Sequence, residues 1–270
     1  MQFIDFAAIS DEIDLKAGDE IMGRTYQALM RAEKEQGKDL LLPQQVQDNP
    51  MLPTFPREDG FRKGPEWFSE LKTRMQTQCA NKEWKSFMFT GINRECGCTS
   101  TLAGFGGTLA NSFGHRVLLL DFNFRFPKLR DFFRVGSHEV DEIFQKMGGI
   151  LTSTEIAQDN LCVVACDSNS KDGDDALGLI DSPQFSHFMN EMKARFDFVL
   201  IDTPPITMCS ESRRLASIVD GVVLVVESGK SRIQVAKRAK QEIESAGGRL
   251  LGVVYNRRKF HIPKWLYRRL

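Results

Sequence analysis

The stretch FVLIDTPP, residues 198–205, decides the fold class of this chain. Its first four residues form an uninterrupted apolar run, which is typical of a short strand buried on both faces of a parallel sheet. Asp202 and a pair of prolines follow directly. The pattern predicts a buried strand that delivers Asp202 to one edge of a sheet.

The same pattern of short apolar strands recurs along the chain, with helical segments between the strands. The predicted strands are Ser86 to Thr90, Val117 to Leu120, Leu161 to Ala165, Phe198 to Ile201, Gly221 to Val226 and Leu250 to Tyr255. The predicted helices are Glu66 to Gln78, Thr99 to Phe113, Ser182 to Ala194 and Ser231 to Ala246. This alternation predicts an α/β fold with a doubly wound, mostly parallel sheet that carries helices on both faces.

Composition narrows the classes of protein and of partner. The chain has 270 residues, 41% of them hydrophobic, and a net charge of +0, so it can bury a sizeable core and no nucleic-acid partner is expected. Its six cysteines are scattered through a chain too long to need disulfides, which indicates thiols in a reducing compartment. The N-terminus carries acids where a signal peptide carries a basic region, so we expect a cytoplasmic location.

Four segments are predicted along the chain. Residues 1–36 form an N-terminal segment in which residues 22–36 have the spacing of a short amphipathic helix, which either docks on a partner or packs against its own domain. Residues 37–65 hold five prolines among polar residues, which is typical of a linker. Residues 66–258 form the main domain, and residues 259–270 form a basic amphipathic tail.

The turn from Thr90 to Ser100 lies where a parallel sheet of this kind places a phosphate-binding loop. Such a loop needs glycines to cradle phosphates, a Lys to bridge the outer phosphates, and a Ser or Thr for magnesium. Gly97 and Thr99 stand in the right positions, whereas Cys98 replaces the Lys and Glu95 replaces a cradle glycine. Losing a charge-assisted contact costs about 1.5–3 kcal/mol, and it also removes charge stabilisation of the transition state, so chemistry should suffer more than binding.

Two further hypotheses concern the same turn. Arg94 could swing inward and replace the missing cation, although its planar guanidinium would sit differently from an ammonium. Cys96 and Cys98 form a C-x-C pair of the kind that ligates metal or carries out redox chemistry. No second pair of Cys or His follows at a fixed spacing. We therefore interpret Cys96 and Cys98 as two small residues that a relaxed loop tolerates, and not as metal ligands or a redox pair.

Two acids directly follow predicted strands. Asp121 comes after the run Val117 to Leu120, where an acid either orients water or magnesium or caps the following turn. Asp202 completes a Walker B arrangement, in which an acid after an apolar strand holds magnesium, often through a water. Both strands should end at the edge that carries Thr99. The sequence therefore predicts Asp121 and Asp202 as catalytic residues, and Thr99, Asp121 and Asp202 as magnesium ligands.

The three loops, in this order and spacing, resemble the bacterial tyrosine kinases of capsule and exopolysaccharide assembly, over residues 66–258. In that family the loops read P-G-E-G-K-T, D-x-D-x-R and D-x-P. Here the first is mostly lost, the second keeps Asp121 and Arg125 around Asn123, and the third is intact. The resemblance implies a P-loop NTPase fold of the MinD/ParA-like type with ATP and Mg²⁺ as cofactors, if nucleotide binding is retained.

The resemblance also implies roles for individual residues. Gly97, Cys98, Thr99 and Ser100 fall on the nucleotide-binding loop, and Asn256 falls where the wider group recognises the adenine base. Family members form homo-oligomeric rings through an E-x-x-R-x-x-R helix. In this chain the segment is Glu66-x-x-Ser69-x-x-Lys72, in which both Arg positions have changed.

Other family features bear on the ends of the chain and on its function. Similarity to the soluble, single-chain members suggests Met22 as the true start. The C-terminal tyrosine cluster that these kinases phosphorylate is missing, with only Tyr255 and Tyr267 in this region. We therefore expect a pseudokinase that regulates polysaccharide polymerisation or export through a membrane-bound partner, peripheral to the inner face of the membrane. The alternatives are an active ATP-dependent tyrosine autokinase and a partitioning-type ATPase.

Overall fold

Continuous apolar runs produce a central sheet of eight strands, seen in a computed structural model that describes residues 2–4, 66–78, 84–133, 156–158, 160–165 and 173–257. All of these residues belong to one compact unit. The strands are β1 (Gln2–Ile4), β2 (Ser86–Gly91), β3 (Val117–Asp121), β4 (Ile156–Gln158), β5 (Leu161–Val164), β6 (Phe198–Asp202), β7 (Gly221–Glu227) and β8 (Leu250–Asn256). The helices within the described ranges are α1 (Glu66–Gln78), α2 (Cys98–Phe113), α3 (Leu129–Phe133), α4 (Gly173–Ile180), α5 (Pro183–Arg195), α6 (Ser210–Ala216) and α7 (Ile233–Ser245).

The strands lie in the order β1-β8-β7-β2-β6-β3-β5-β4. The six inner strands are parallel, and β1 and β4 pair antiparallel at the two edges. Every residue of β2, β3, β6 and β7 is buried, as expected for strands covered on both faces. The predicted mostly parallel α/β sheet is confirmed.

Helix α2 packs closely on this sheet at Gly106. A Cβ atom there would lie 2.6 Å from Cδ2 of Leu119 in β3, so a larger residue would require the Leu119 side chain or the helix to shift. All residues of α2 from Thr101 to Ala110 are buried. The start of α2 is thereby fixed above the carboxyl ends of β2 and β6, where the candidate site lies.

The predicted strands and helices agree with the observed ones to within two residues at each end. The short elements β1, β4, α3, α4 and α6 were not predicted. Strand β1 lies in the segment interpreted as separate from the main domain, yet Gln2 is in register with Tyr255 of β8. The predicted helix at 22–36, the linker at 37–65 and the tail at 259–270 lie outside the described residues.

The part of the chain described by the structure contains no helix that is both long and apolar enough to span a membrane.

Candidate nucleotide site

The turn between β2 and α2, together with the first residue of α2, is termed here the phosphate loop (residues 92–98). Its conformation includes two left-handed residues, Glu95 with φ 63° and Gly97 with φ 88°. Gly97 adopts such a φ freely, whereas a residue with a side chain is disfavoured there by about 1–2 kcal/mol. Glu95 therefore keeps a backbone conformation suited to glycine, although the glycine itself is absent.

Contacts from other segments hold the phosphate loop in place. Ile92 donates its N–H to the carbonyl of Val225 at 3.3 Å and accepts the Thr207 hydroxyl at 3.2 Å. Thr101 donates its N–H to the carbonyl of Gly97 at 3.0 Å, which forms the first turn of α2. The N–H groups that precede this bond, at the start of a helix, form a site suited to an anion.

Thr99 and Asp202, which the sequence predicted to meet, lie in direct contact. The Thr99 hydroxyl donates to Oδ2 of Asp202 at 2.6 Å. The other carboxylate oxygen, Oδ1, is buried and has no hydrogen-bond partner among the described residues. A threonine hydroxyl beside a carboxylate with a spare oxygen suits Mg²⁺, which binds through one or two protein oxygens plus phosphates and water. These residues fit the metal that the resemblance implies.

Two buried acids lie side by side at this edge, since Asp121 is in register with Asp202 in the adjacent strand. The pKa of Asp202 is raised to about 7, chiefly by burial and also by the nearby Asp121 carboxyl, while the hydrogen bond from Thr99 opposes the shift. Burial also raises the pKa of Asp121 to about 6. The described residues contain no cluster of three or more His, Cys, Asp or Glu side chains placed to bind a metal. A metal here would therefore depend on oxygens from its phosphate ligand.

Asp121 caps the turn that follows β3. Its Oδ1 accepts the N–H of Asn123 at 3.0 Å, and its Oδ2 accepts those of Lys128 and Leu129 at 2.9 and 3.0 Å. This is the turn-capping alternative that the sequence left open. The roles of Asp121 in catalysis and in metal binding stay predictions.

Cys98 occupies the first helical position after Gly97, where the resemblance places a Lys. Burial raises the pKa of its thiol well above the usual value, and the adjacent Asp202 carboxylate raises it further. The neighbouring Cys96 is buried, and its pKa rises to about 11. Both side chains are therefore neutral thiols near pH 7. Neither cysteine adds a negative charge to the phosphate loop, and Cys98 cannot supply the positive charge of a lysine.

Positive side chains near the phosphate loop make other contacts. The Arg94 guanidinium lies 4.1 Å from the centre of the Phe126 ring, so the side chain predicted as a replacement cation stacks on an aromatic residue. Arg125 pairs with the buried carboxylate of Glu211 at 3.3 Å. Lys128 lies near enough to lower the pKa of Asp202. Sequence reasoning missed Lys128, because only the folded turn shows which lysine returns to this edge.

The Asn256 side chain faces the phosphate loop. Its Nδ2 donates to the carbonyl of Cys96 at 2.8 Å, and its Oδ1 accepts the N–H of Arg257 at 2.7 Å. The proposed adenine-recognition role of Asn256 stays a prediction. Ser100, also predicted to bind nucleotide, is partly buried in the first turn of α2 beside Thr99.

Several other features of the resemblance have structural roles away from this site. Ser182 caps α5 by accepting the N–H of Phe185 at 3.1 Å, with Pro183 at the first helical position. Lys72, at a ring-motif position, lies 3.8 Å from the ring centre of Phe113. Tyr255 lies in β8 and is buried, which confirms its predicted place in a strand. Tyr267 lies outside the described residues.

Comparison with known proteins identifies relatives of this chain. No protein-family model matches the chain. The tyrosine-protein kinase CpsD of Streptococcus agalactiae is 26% identical over 201 residues, which are 73% of this chain and 84% of that protein. The putative tyrosine-protein kinase CapB of Staphylococcus aureus is 28% identical over 194 residues, 71% of this chain and 83% of that protein.

Solved structures show the same fold. The chimerical protein CapA2B2 matches with a TM-score of 0.62 at 23% identity, over 72% of this chain and 85% of that chain. A ParA family ATPase from Chlorobium tepidum matches with a TM-score of 0.50 at 15% identity, over 64% of this chain and 74% of that chain. The fold is that of the MinD/ParA-like P-loop NTPases, and the homologues of this chain are named bacterial tyrosine-protein kinases.

Proposed function

We propose that this homologue of bacterial tyrosine-protein kinases is catalytically degenerate. We further propose that it regulates exopolysaccharide or capsule polymerisation or export through a membrane-bound partner. The observation that supports degeneracy most directly is Cys98. It stands at the first position of α2, directly after Gly97, where a kinase of this kind needs a lysine ammonium.

The charges around the phosphate loop support the same proposal. Phosphoryl transfer needs positive charge to stabilise the transition state, and it depends on positioning and electrostatics more than on covalent chemistry of the protein. The loop presents Glu95 and a neutral Cys98 thiol in place of a glycine and a cation. Arg94 and Arg125 contact Phe126 and Glu211 instead. Chemistry should therefore be lost before nucleotide binding is.

Residual binding would use the parts of the site that are kept. Thr99 and Asp202 would hold Mg²⁺, and the N–H groups at the start of α2 would bind phosphate oxygens. The metal, when bound, would neutralise part of the phosphate charge. Asp202 must lose its proton and its contact with the Thr99 hydroxyl must open to a metal, so we expect weak binding that improves above pH 7.

An assay of ATP turnover tests the proposed loss of catalysis directly. Purified protein with Mg²⁺ and labelled ATP should release no phosphate and form no phosphotyrosine above the background of Asp202→Asn. Steady turnover that Asp202→Asn abolishes would overturn the proposal in favour of an active tyrosine autokinase. Lys128 is the specific observation that favours this second candidate, because its N–H donates to Asp121, the residue paired with Asp202, at 2.9 Å, and its charge lowers the pKa of Asp202. In that case Lys128→Gln should also abolish turnover.

Restoring the loop provides a second test. The double variant Cys98→Lys, Glu95→Gly should bind Mg·ATP at least about tenfold more tightly than the unchanged chain, since one charge-assisted contact contributes about 1.5–3 kcal/mol. The matched control is Cys98→Ser, Glu95→Gly, which makes the same loop change without the cation. Equal affinities for the two double variants would contradict the assignment of Cys98 to the lysine position.

The regulatory part of the proposal needs a cellular test. Deleting the gene should alter the amount or chain length of the surface polysaccharide in the organism that carries it. Re-expressing Asp202→Asn should restore the wild-type polymer, because a regulator that acts through contact needs no phosphoryl transfer. A variant that fails to restore the polymer, while folding and accumulating normally, would show that the site's chemistry is required.

A further inference from the structure

Asn256 ends β8 and contacts the phosphate loop across 160 residues of sequence. Its side-chain amide is buried, and Nδ2 donates to the carbonyl of Cys96 at 2.8 Å. Cys96 immediately precedes Gly97, whose positive φ turns the loop into α2. The contact therefore falls on the peptide that leads into the helix N-terminus.

The orientation of this amide is fixed from the other side. Oδ1 accepts the backbone N–H of Arg257 at 2.7 Å, so a flipped amide would set its NH₂ group against another N–H donor. The backbone of Asn256 is fixed as well, since its carbonyl accepts the N–H of Ser228 at 2.9 Å. Nδ2 consequently faces the Cys96 carbonyl.

The contact between Asn256 and Cys96 depends on the absence of a side chain at Gly97. A Cβ atom on Gly97 would lie 2.2 Å from Nδ2 of Asn256, far inside van der Waals distance. The absence of a side chain at Gly97 is thus what lets the Asn256 amide reach the Cys96 carbonyl. The two residues act as one unit: Gly97 makes room, and Asn256 occupies it.

We propose that Asn256 is a positioning residue for phosphate binding, which holds the Cys96 carbonyl toward β8 and so sets the N–H groups at the start of α2 for an anion. A carbonyl oxygen carries partial negative charge, and one that turned into the loop would repel phosphate. The role does not involve the base of a nucleotide. This inference rests on the proposed function only in taking the loop to bind phosphate.

Inorganic tripolyphosphate separates positioning from base recognition, because it has the phosphates of ATP without the base. Affinities of Mg·ATP and Mg·tripolyphosphate should both fall by the same factor, about twofold to tenfold, in Asn256→Ala, the range for one neutral hydrogen bond. Asn256→Asp should lose at least as much, since it keeps Oδ1 but has no donor for Cys96. Ser182→Ala, which removes the cap of α5, is the control and should leave both affinities unchanged. Weaker ATP binding with unchanged tripolyphosphate binding would overturn the proposal and assign Asn256 to the base.

Amide exchange of the free protein provides a readout that needs no ligand. The Thr101 N–H closes the first turn of α2 on the Gly97 carbonyl, and it should exchange at least about fivefold faster in Asn256→Ala. In Ser182→Ala it should not change. An unchanged Thr101 rate in Asn256→Ala would overturn the positioning role. If the unchanged chain binds neither Mg·ATP nor Mg·tripolyphosphate, the exchange experiment still decides the role of Asn256. The absence of binding would then count only against the proposed function.

Discussion

The phosphate loop and the strand-end segment, residues 202–205, lie together at one edge of the sheet but have diverged to different degrees. The strand-end segment keeps every feature that its motif requires, and its residues are buried. Thr203 donates its N–H to the carbonyl of Phe89 at 3.1 Å, and the carbonyl of Pro204 accepts the hydroxyls of Thr90 and Ser212 at 2.9 Å each. The phosphate loop keeps Gly97 but has Glu95 and Cys98 where its motif has a glycine and a lysine.

The difference shows that shape and charge are maintained by separate means. The loop's shape depends on contacts from distant segments, among them Val225, Thr207 and Asn256, and these contacts do not involve a phosphate ligand. Under the proposed function, its charge would depend on the side chain at position 98. A single substitution there would then remove phosphoryl transfer while the fold and the backbone of the loop persist.

Glycine substitutions at the two ends of α2 should give the largest effect. Gly97→Ala places a side chain on a residue with left-handed backbone, which should lower the free energy of unfolding by about 1–2 kcal/mol. The added Cβ also displaces the Asn256 amide, which should lower it by about 1 kcal/mol more. Gly114→Ala, at φ 68° with no atom near the added Cβ, should show the first cost alone. Urea unfolding of both variants measures the difference. Equal losses would mean that the Asn256 contact contributes nothing.

Much of this comparison could be predicted from sequence, and the remainder could not for identifiable reasons. Uninterrupted apolar runs and the acids after them predicted the inner strands and the meeting of Thr99 with Asp202. Strand β1 has only three residues and pairs with a strand some 250 positions away, so no local pattern marks it. The bracing contact of Asn256 is made to a backbone carbonyl, which every residue possesses and which therefore leaves no signal in the sequence.

The buried acid of the strand-end segment should make stability depend on pH. The pKa of Asp202 rises from 3.8 to about 7 on folding, so the folded protein binds the proton more tightly than the unfolded chain. Without metal, the free energy of unfolding should then fall as the pH rises from about 4 to about 7. Asp202→Asn removes this dependence and should be more stable than the unchanged chain at pH 8, because the neutral amide avoids burying the charge that Asp202 carries there.

Asp220, at the opposite edge of the sheet from Asp202, should give stability the opposite dependence on pH. Burial there is outweighed by hydrogen bonds from Ser86, Lys85 and Lys193, which lower the pKa of Asp220. The Asp220 carboxylate therefore stabilises the folded protein fully above the pKa that it has in the unfolded chain. This stabilisation is lost as the pH falls through the lower pKa that it has in the folded protein. Asp220→Asn should therefore destabilise the protein at pH 7 and less so in acid. Thermal unfolding of both variants from pH 8 to below pH 4 in EDTA checks the sign, because the Asp220 contribution changes only below its unfolded pKa of 3.8. Parallel profiles over that range would contradict the assignment.

Arg94 in the phosphate loop and Arg125 after β3 should give the smallest effects. Arg94→Ala removes only an exposed stacking contact with Phe126, so we expect a loss of about 0.5 kcal/mol in stability and no change in nucleotide affinity. Arg125→Ala is the matched control, and it should cost more, about 1 kcal/mol, because the buried carboxylate of Glu211 loses its cationic partner and keeps a hydrogen bond from the neutral Ser210 hydroxyl. A tenfold fall in Mg·ATP affinity for Arg94→Ala alone would show that Arg94 leaves Phe126 to bind phosphate. The lost charge of the loop would then have been replaced from within it, and the contrast with the intact strand-end segment would be one of sequence rather than of function.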